Sequence, residues 1–292
     1  MQVFRTVREI RNAIEAERKA GKRIGFVPTM GNLHEGHLQL VRQAQTTCDV
    51  VVVSIFVNPL QFGLNEDWEQ YPRTFDADVA KLESVNTNYL FHPTEQEMYP
   101  NGMATQTKVE VAVMTNILCG ASRPGHFLGV TTVVAKLFNM VLPDEAVFGI
   151  KDYQQLAVIR RMAEDLCIPI QITAAPIARA TDGLALSSRN SYLTAEERPI
   201  ATTLYQTLCW ARDQIAQGQR DYLSLENDAR KRLAAAGMRP DYFSVIQQKT
   251  LEAAIPLKHG EGDRDIAILA AVYLGKTRLI DNVTLGLSPS ST

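Results

Sequence analysis

Apolar and polar positions fall into two textures along the chain. From Arg23 to about Thr173, short apolar runs alternate with stretches of helical spacing, the pattern of βα units feeding a mostly parallel sheet. Ile24 to Val27 is the first run. Val50 to Val57, apolar at nearly every position and rich in β-branched residues, has the composition of a central strand covered on both faces. Tyr89 to Phe91, Ala146 to Phe148 and Ile168 to Ile172 supply the remaining strands. Phe75, Val79 and Leu82 recur at i, i+4 and i+7, and Val134, Phe138 and Val141 nearly do, which predicts amphipathic helices between strands. Beyond Pro176 the texture changes. Polar helical stretches around Ala195 to Gln217 and Tyr222 to Ala236 precede extended runs near Tyr242 to Ile246 and Ile266 to Tyr273, predicting a smaller α+β domain. The join, Ala174 to Gly183, has the small residues, Pro and Gly of a hinge, and the Ser-rich end Ser288 to Thr292 reads as frayed.

Composition adds bounds. A chain of 292 residues has room for about two domains, and 46% hydrophobic with 21% charged residues is ordinary for a globular protein. A net charge of −2 leaves no basic footprint for nucleic acid and no polybasic membrane patch, so a small-molecule substrate is the default. Met1 to Ile10 reads as folded protein because it lacks the apolar core of a signal peptide, and no run of about 18 apolar residues predicts a membrane span. Cys48, Cys119, Cys167 and Cys209 form no C-x-x-C pair and read as buried free thiols of a cytosolic protein.

Chemistry concentrates where strands end. After the first strand comes Pro28-Thr-Met-Gly-Asn-Leu-His-Glu-Gly-His37, followed by Leu38, Val41 and Ala44 at helical spacing, so the histidines sit at a helix entrance. Exposed N–H groups and the helix dipole favour an anion there, two imidazoles add donors, and Gly31 and Gly36 permit close approach. Capping alone explains one histidine at such a place; a glycine-flanked pair after a buried strand favours phosphate binding. Zinc is disfavoured because H-E-x-x-H needs histidines four apart, and these are three apart with Gly36 between them. Gly120 to Gly125 mimics P-loop glycine spacing, but His126-Phe127 stands where Lys-Ser/Thr is required.

Phe148-Gly-Ile-Lys-Asp-Tyr-Gln-Gln155 lies at a second strand-to-helix passage, where open α/β sheets bind ligands. Lys151 suits a phosphate; Asp152 suits helix capping, with Gln155 at capping-box spacing, as well as it suits a functional role. Leu184-Ala-Leu-Ser-Ser-Arg-Asn190 offers two hydroxyls and a guanidinium for a clamp on a phosphoryl group, and equally for a solvated loop. Phe56-Val-Asn-Pro-Leu-Gln-Phe62 closes the buried strand with Asn58 and Gln61, neutral amides that suit a hydroxylated substrate or a plain turn at Pro59.

The His-x-Gly-His after the first strand, with Leu186-Ser-Ser-Arg189 later, resembles the HIGH and KMSKS motifs of the nucleotidyltransferase superfamily. The ordered blocks Val27 to His34, Ser54 to Phe62, Ser122 to Phe127, Lys151 to Gln155, Asp182 to Asn190 and Leu279 to Asn282 are similar more specifically to the pantothenate synthetase family, over essentially the whole chain.

That resemblance implies an α/β fold: a Rossmann-like parallel-sheet domain over residues 1–175, binding ATP and pantoate, and a smaller α+β C-terminal lid domain over residues 176–292. It implies ATP-dependent condensation of (R)-pantoate with β-alanine through pantoyl adenylate, releasing AMP and pyrophosphate, with Mg²⁺, in a cytoplasmic homodimer. The implied catalytic residues are His37, the family's assigned proton donor, with His34 and Lys151. The implied ATP site comprises Met30, Gly31, Asn32, Leu33, His34, Glu35, Gly36, His37, Gly149, Ile150, Lys151, Asp152, Ile177, Leu186, Ser187, Ser188 and Arg189. Gln61 and Gln155 are implied for pantoate, with Asn58 beside them and Pro28, Met30, Phe56, Val133 and Val134 as apolar surface; Arg123 and His126 orient from further out. Two residues depart from the family pattern: Ile150, where many members have an acidic residue, and Leu128, where a basic one is common. No Mg²⁺ ligand set emerges; Asp78 is a candidate and equally reads as solvated helix face. A nucleotidyltransferase that leaves the nucleotide on its product is disfavoured by the two glutamines and the large C-terminal domain. A catalytically silent ATP-binding scaffold is disfavoured by the intact His34, His37, Lys151, Ser187, Ser188 and Arg189.

Overall fold

A computed structural model describes residues 1–63, 66, 68–255 and 265–286. The tail Ser288 to Thr292 lies outside the described residues. Contacts divide the chain into two units: Met1–Gly149 with Gln155–Ala175, and Ile150–Gln154 with the chain from Pro176 onward.

In chain order, the elements up to residue 175 are β1 (Gln2–Phe4), α1 (Val7–Lys19), β2 (Ile24–Thr29), α2 (Glu35–Ala44), β3 (Val50–Ile55), α3 (Phe75–Ser84), β4 (Tyr89–Phe91), the single turns α4 (Glu95–Met98) and α5 (Cys119–Ser122), α6 (His126–Val141), β5 (Glu145–Gly149), α7 (Tyr153–Asp165) and β6 (Gln171–Ala175). Six strands, among the described residues, pair in the order β1-β4-β3-β2-β5-β6, each pair parallel. This is the parallel sheet of βα units expected of the first texture, and the Rossmann-like α/β fold that the resemblance implies. β3 has all six residues buried, which follows from its Val-Val-Val-Val-Ser-Ile sequence and its position between β4 and β2. The strand order reverses at β2, whose neighbours are β3 and β5, and such a switch point leaves a crevice outside the carboxyl ends of the strands. Helices α2 and α3 are sealed to one face by Leu38, Val41 and Ala44 and by Leu82, all within one apolar cluster. At the opposite end of the strands, the fully buried Glu145 accepts from Thr173 Oγ1 at 2.7 Å and from Arg23 Nη2 at 3.1 Å.

The second texture becomes α8 (Glu197–Ile200), α9 (Thr203–Ala216), α10 (Tyr222–Ala235), β7 (Arg239–Gln247), β8 (Ile266–Leu274) and β9 (Thr277–Leu285). The three strands form an antiparallel sheet in the order β7-β8-β9. Leu204, Leu208, Ala211 and Ile215 of α9 and Leu225, Ala229 and Leu233 of α10 share one cluster with Phe243, Val245, Ile268 and Val272 of the sheet. Spacings of i, i+4, i+7 and i+11 in α9 and of i, i+4 and i+8 in α10 place these residues on one face of each helix.

Several boundaries differ from the sequence reading. β6 runs from Gln171 to Ala175, three residues later than Ile168 to Ile172, because its pairing with β5 joins Glu145 to Gln171 and Gly149 to Ala175. The expected hinge therefore begins as strand, and it continues as a hairpin, with Arg179 bridged antiparallel to Ala185 and Leu186 N donating to Ala178 O at 2.8 Å. β3 stops at Ile55 rather than Val57, β8 extends one residue past Tyr273, and β1, α1 and β9 add elements that the pattern does not announce. All four cysteines are free thiols; Cys48 and Cys119 are buried as expected, whereas Cys167, just past α7, is exposed and Cys209 is half-buried.

Candidate functional site

The segment between β2 and α2 is a loop whose backbone is satisfied almost group by group. Thr29 Oγ1 donates to Ser54 O at 2.8 Å and accepts from Gly31 N at 3.2 Å. Asp78 on α3 accepts from Asn32 N and Leu33 N, both at 2.8 Å, and from Thr74 Oγ1 at 3.1 Å. Lys81, one turn further along α3, donates to Leu33 O at 2.6 Å. These contacts hold Gly31 at φ +78 and Asn32 at φ +48, the left-handed region that Gly and Asn tolerate best. A Cβ on Gly31 would also sit 3.1 Å from both Asp78 Oδ2 and Ile55 Cγ2. Asp78 is 1% exposed with both oxygens occupied, so it is neither solvated helix face nor an available Mg²⁺ ligand. It is the anchor of the loop.

His34 is the N-cap of α2. Its Nδ1 accepts from Gly36 N at 3.1 Å, and its own N–H donates to His37 Nδ1 at 3.2 Å, closing a capping box built from two imidazoles 4.1 Å apart. A ring nitrogen that accepts a backbone N–H carries no proton, so in each neutral ring the proton lies on Nε2. The structure therefore shows the pair as capping residues, each bound to the main chain through Nδ1. The helix-end N–H groups of Gly36 and His37 are taken by His34, and the N–H of each neutral ring is at Nε2. Glu35 beside them is exposed and paired with Arg42 of the same helix.

Where β3 ends, Asn58 caps a 3-10 turn, Pro59–Gln61. Asn58 is 1% exposed. Its Oδ1 accepts from Leu60 N at 3.3 Å and from the Tyr99 hydroxyl at 2.7 Å; its Nδ2 donates to Gly129 O at 3.1 Å and to Gln61 Oε1 at 3.3 Å. Gln61 Nε2 in turn points at Met30 Sδ, 2.7 Å away. The turn fits because α6 has Gly129 against it: a Cβ there would meet Leu60 O at 2.2 Å. Val133 and Val134, one turn along α6, are each 5% exposed, and Phe56 lies edge-on to Tyr99 at 6.1 Å. Arg123 and His126 reach Gln61 through its backbone. His126 Nδ1 donates to Gln61 O at 2.8 Å, Arg123 Nη1 lies 3.0 Å from His126 Nε2, and Arg123 grips Glu66 with two bonds of 2.6 Å. Burial pushes the Glu66 carboxyl up, but Arg123 overcomes it and holds Glu66 below the usual carboxylate range. Gln155 stands half-buried on α7.

The second unit carries its own set. Ile150–Asp152 forms a 3-10 turn before α7, with Lys151 Nζ 3.5 Å from Asp152 Oδ2. Asn282 of β9 donates its Nδ2 to Ile150 O at 2.8 Å and to Lys151 O at 3.0 Å, which fixes the peptide that carries the lysine. The preceding residue, Asp281, takes both arms of Arg179 at 2.6 and 2.9 Å, and Arg179 also donates to Gly183 O at 3.1 Å and stacks 3.7 Å over Tyr205. Ser187 caps the 3-10 turn Ser188–Tyr192 by accepting from Arg189 N at 3.3 Å. Ile177 and Leu186, at the two arms of the hairpin, are half-buried.

Within the first unit the structure gathers Met30, Asn58 and Gln61, and it orders these segments through residues that the sequence reading left without a structural role: Thr29, Asp78 and Lys81 at the Met30 to His37 loop, and Tyr99 at Asn58. In the second unit, Asp281, Asn282 and Arg179 are the equivalents, and Leu279 to Asn282 had already stood out as a resemblance block. Among the described residues no group of three or more His, Cys, Asp or Glu is gathered as a metal site. No helix among them is long and apolar enough to cross a membrane.

The pantoate-beta-alanine ligase family model matches residues 2–284. The pantothenate synthetase of Cellvibrio japonicus (strain Ueda107) is 61% identical over 288 residues, covering 99% of this chain and all of that protein. The crystal structure of pantothenate synthetase from Thermus thermophilus superposes with a TM-score of 0.88 at 43% identity, covering 97% of this chain and 99% of that one. A pantoate-beta-alanine ligase from Francisella tularensis, complexed with beta-gamma ATP and beta-alanine, superposes with a TM-score of 0.78 at 34% identity, covering 99% of this chain and all of that one.

Proposed function

The chain belongs to the pantoate-beta-alanine ligase family, and on that premise we propose how its own residues condense (R)-pantoate with β-alanine at the expense of ATP. The observation that carries the proposal is the imidazole capping box, which turns two helix-capping residues into two fixed Nε2–H donors. Fixed donors are what adenylation requires, because negative charge builds on the α-phosphate and on the departing pyrophosphate.

In the first step the pantoate carboxylate attacks the α-phosphorus; the bond to the β-phosphate oxygen breaks, and pyrophosphate leaves with its electron pair. A carboxylate is ionised at neutral pH, so this step needs no general base. His34 and His37 donate to the phosphates, with His37 as proton donor, and Met30 to Leu33, Glu35 and Gly36 line the nucleotide. From the second unit, Lys151 supplies a point charge, and Gly149 of β5 leads into Ile150 and Asp152, with Ile177, Leu186, Ser187, Ser188 and Arg189 completing the nucleotide contacts. In the second step the β-alanine amine attacks the acyl carbon of pantoyl adenylate, AMP departs, and the amine loses its proton. Gln61 and Gln155 hold pantoate by its oxygens, while Pro28, Met30, Phe56, Val133 and Val134 face its gem-dimethyl carbon. Asn58, Arg123 and His126 act behind Gln61. Mg²⁺, bound with ATP, would neutralise phosphate charge; with Asp78 already accepting from backbone N–H groups, its donors would be the phosphate oxygens themselves. We further propose that residues 1–175 form the ATP- and pantoate-binding domain, that residues 176–292 act as its lid, and that the enzyme works as a cytoplasmic homodimer.

The deciding experiment is ATP–pyrophosphate exchange. Exchange should depend on pantoate and Mg²⁺, and AMP should appear only when β-alanine is added. A product that retains the nucleotide would overturn the reading.

A further inference from the structure

We propose that Tyr99 is a positioning residue for the acid substrate: its buried hydroxyl, acting through Asn58, sets the direction of the Gln61 amide so that Gln61 meets the substrate as a hydrogen-bond donor. The inference rests on the proposed role of Gln61 in binding pantoate.

The direction of each amide is forced in sequence. Leu60 N–H can only donate, so the Asn58 atom facing it is Oδ1; Gly129 O can only accept, so the opposite atom is Nδ2. Tyr99 then has one role open to it at Asn58 Oδ1, that of donor, and at 2.7 Å it is the shorter of the two bonds to that oxygen. With Oδ1 accepting twice and one hydrogen of Nδ2 on Gly129, the second hydrogen falls to Gln61 Oε1. The amide oxygen of Gln61 is thereby occupied inside the protein, and its Nε2 directs one hydrogen at Met30 Sδ, which leaves the second for a ligand. Such a group recognises carboxylate, carbonyl or hydroxyl oxygen and rejects a donor.

Tyr99 is built for this task. It is 2% exposed, it packs edge-on to Phe56 of the proposed apolar surface, and Lys136 Nζ lies 5.4 Å over its ring. Burial, reinforced by the negative charge of Glu95, pushes its hydroxyl well above the usual phenol range, so it remains a donor throughout the working pH range. A tyrosine needed only for packing would be served as well by phenylalanine.

Tyr99→Phe is therefore the test, since it keeps the ring against Phe56 and removes one bond. In pantoate-dependent ATP–pyrophosphate exchange we expect the pantoate KM to rise about 3- to 10-fold, the cost of one buried hydrogen bond, with the ATP KM within about twofold of wild type. Asn58→Asp provides a second reading, because a carboxylate oxygen would then face Gly129 O and Gln61 Oε1. It should raise the pantoate KM further, with the ATP KM again preserved, and adding Tyr99→Phe to it should change little. Tyr99→Phe with a wild-type pantoate KM, or with ATP and pantoate KM raised together, overturns the proposal. Wild-type protein without pantoate-dependent exchange overturns instead the reading on which it rests.

Discussion

The Nδ1 of His37 accepts the backbone N–H of His34 at 3.2 Å, so the orientation of one imidazole is set by the main chain of the other. If the working atom is Nε2, a side chain that places an amide nitrogen there should serve better than one that mimics Nδ1. Glutamine reaches the Nε2 position and asparagine the Nδ1 position. We expect His37→Ala to lower adenylate formation by roughly 10²- to 10³-fold, the scale of losing one transition-state donor, and His37→Gln to retain more activity than His37→Asn. Single-turnover adenylation with each variant measures this, and a higher rate for His37→Asn would point to Nδ1 instead.

Asp78 gathers two backbone N–H groups and one hydroxyl on a buried carboxylate. In Asp78→Asn, one of the oxygens becomes an NH₂ group facing a donor. Stability should fall by about 1–3 kcal/mol, and the ATP KM should rise because the loop before His34 loosens. Urea unfolding and exchange kinetics read the two effects separately. Unchanged stability would remove Asp78 as the anchor.

Asn282→Leu keeps the approximate volume of the side chain and deletes both donors to the Lys151 turn. We expect the ATP KM to rise roughly tenfold, the scale of one or two lost buried bonds, with the pantoate KM preserved. Exchange kinetics at varied ATP and at varied pantoate distinguish this from general damage, which would move both constants.

Glu145 makes stability depend on acid. Burial alone would raise its carboxyl, but hydrogen bonds from Thr173 and Thr47 and the Arg23 guanidinium hold it below the ordinary range. A carboxylate depressed in the folded state contributes stability that is present above its unfolded pKa, about 4.3, and is lost as pH falls through the folded value. Wild type should therefore lose this contribution below about pH 4, whereas Glu145→Gln, weaker at neutral pH, should show a flatter acid limb. Urea midpoints between about pH 3 and 7 test it; parallel curves would exclude Glu145 as a source of the slope.

Long periodic helices and the apolar strand β3 were legible because each carries its signal within a few residues. β6 was displaced because Ala174 and Ala175, its buried end, have too little side chain to register as apolar, while Ile168 and Ile170 just before it do register and are only half-buried. α1 buries only Ile10 and Ile14 among charged residues; its clearest signal was the capping box Thr6-Val-Arg-Glu9. At the site, the histidines were legible because strand, glycines and helix lie in one short segment. Asp78 and Tyr99 were not, since they act 45 and 41 residues from Leu33 and Asn58, and nothing in their local spacing distinguishes them from a surface acid and a core aromatic.

The tie between Asn282 and the Lys151 turn spans 131 and 132 residues of sequence. It also bears on the order in which a ribosome delivers the parts. The lysine emerges when about half of the chain has been made, yet the amide that fixes its peptide arrives within the last strand described. A nascent chain stalled before β9 would thus hold a complete parallel sheet and both imidazoles, with its lysine turn still unsecured. The same holds for any truncation that removes β9, however well the remaining protein folds.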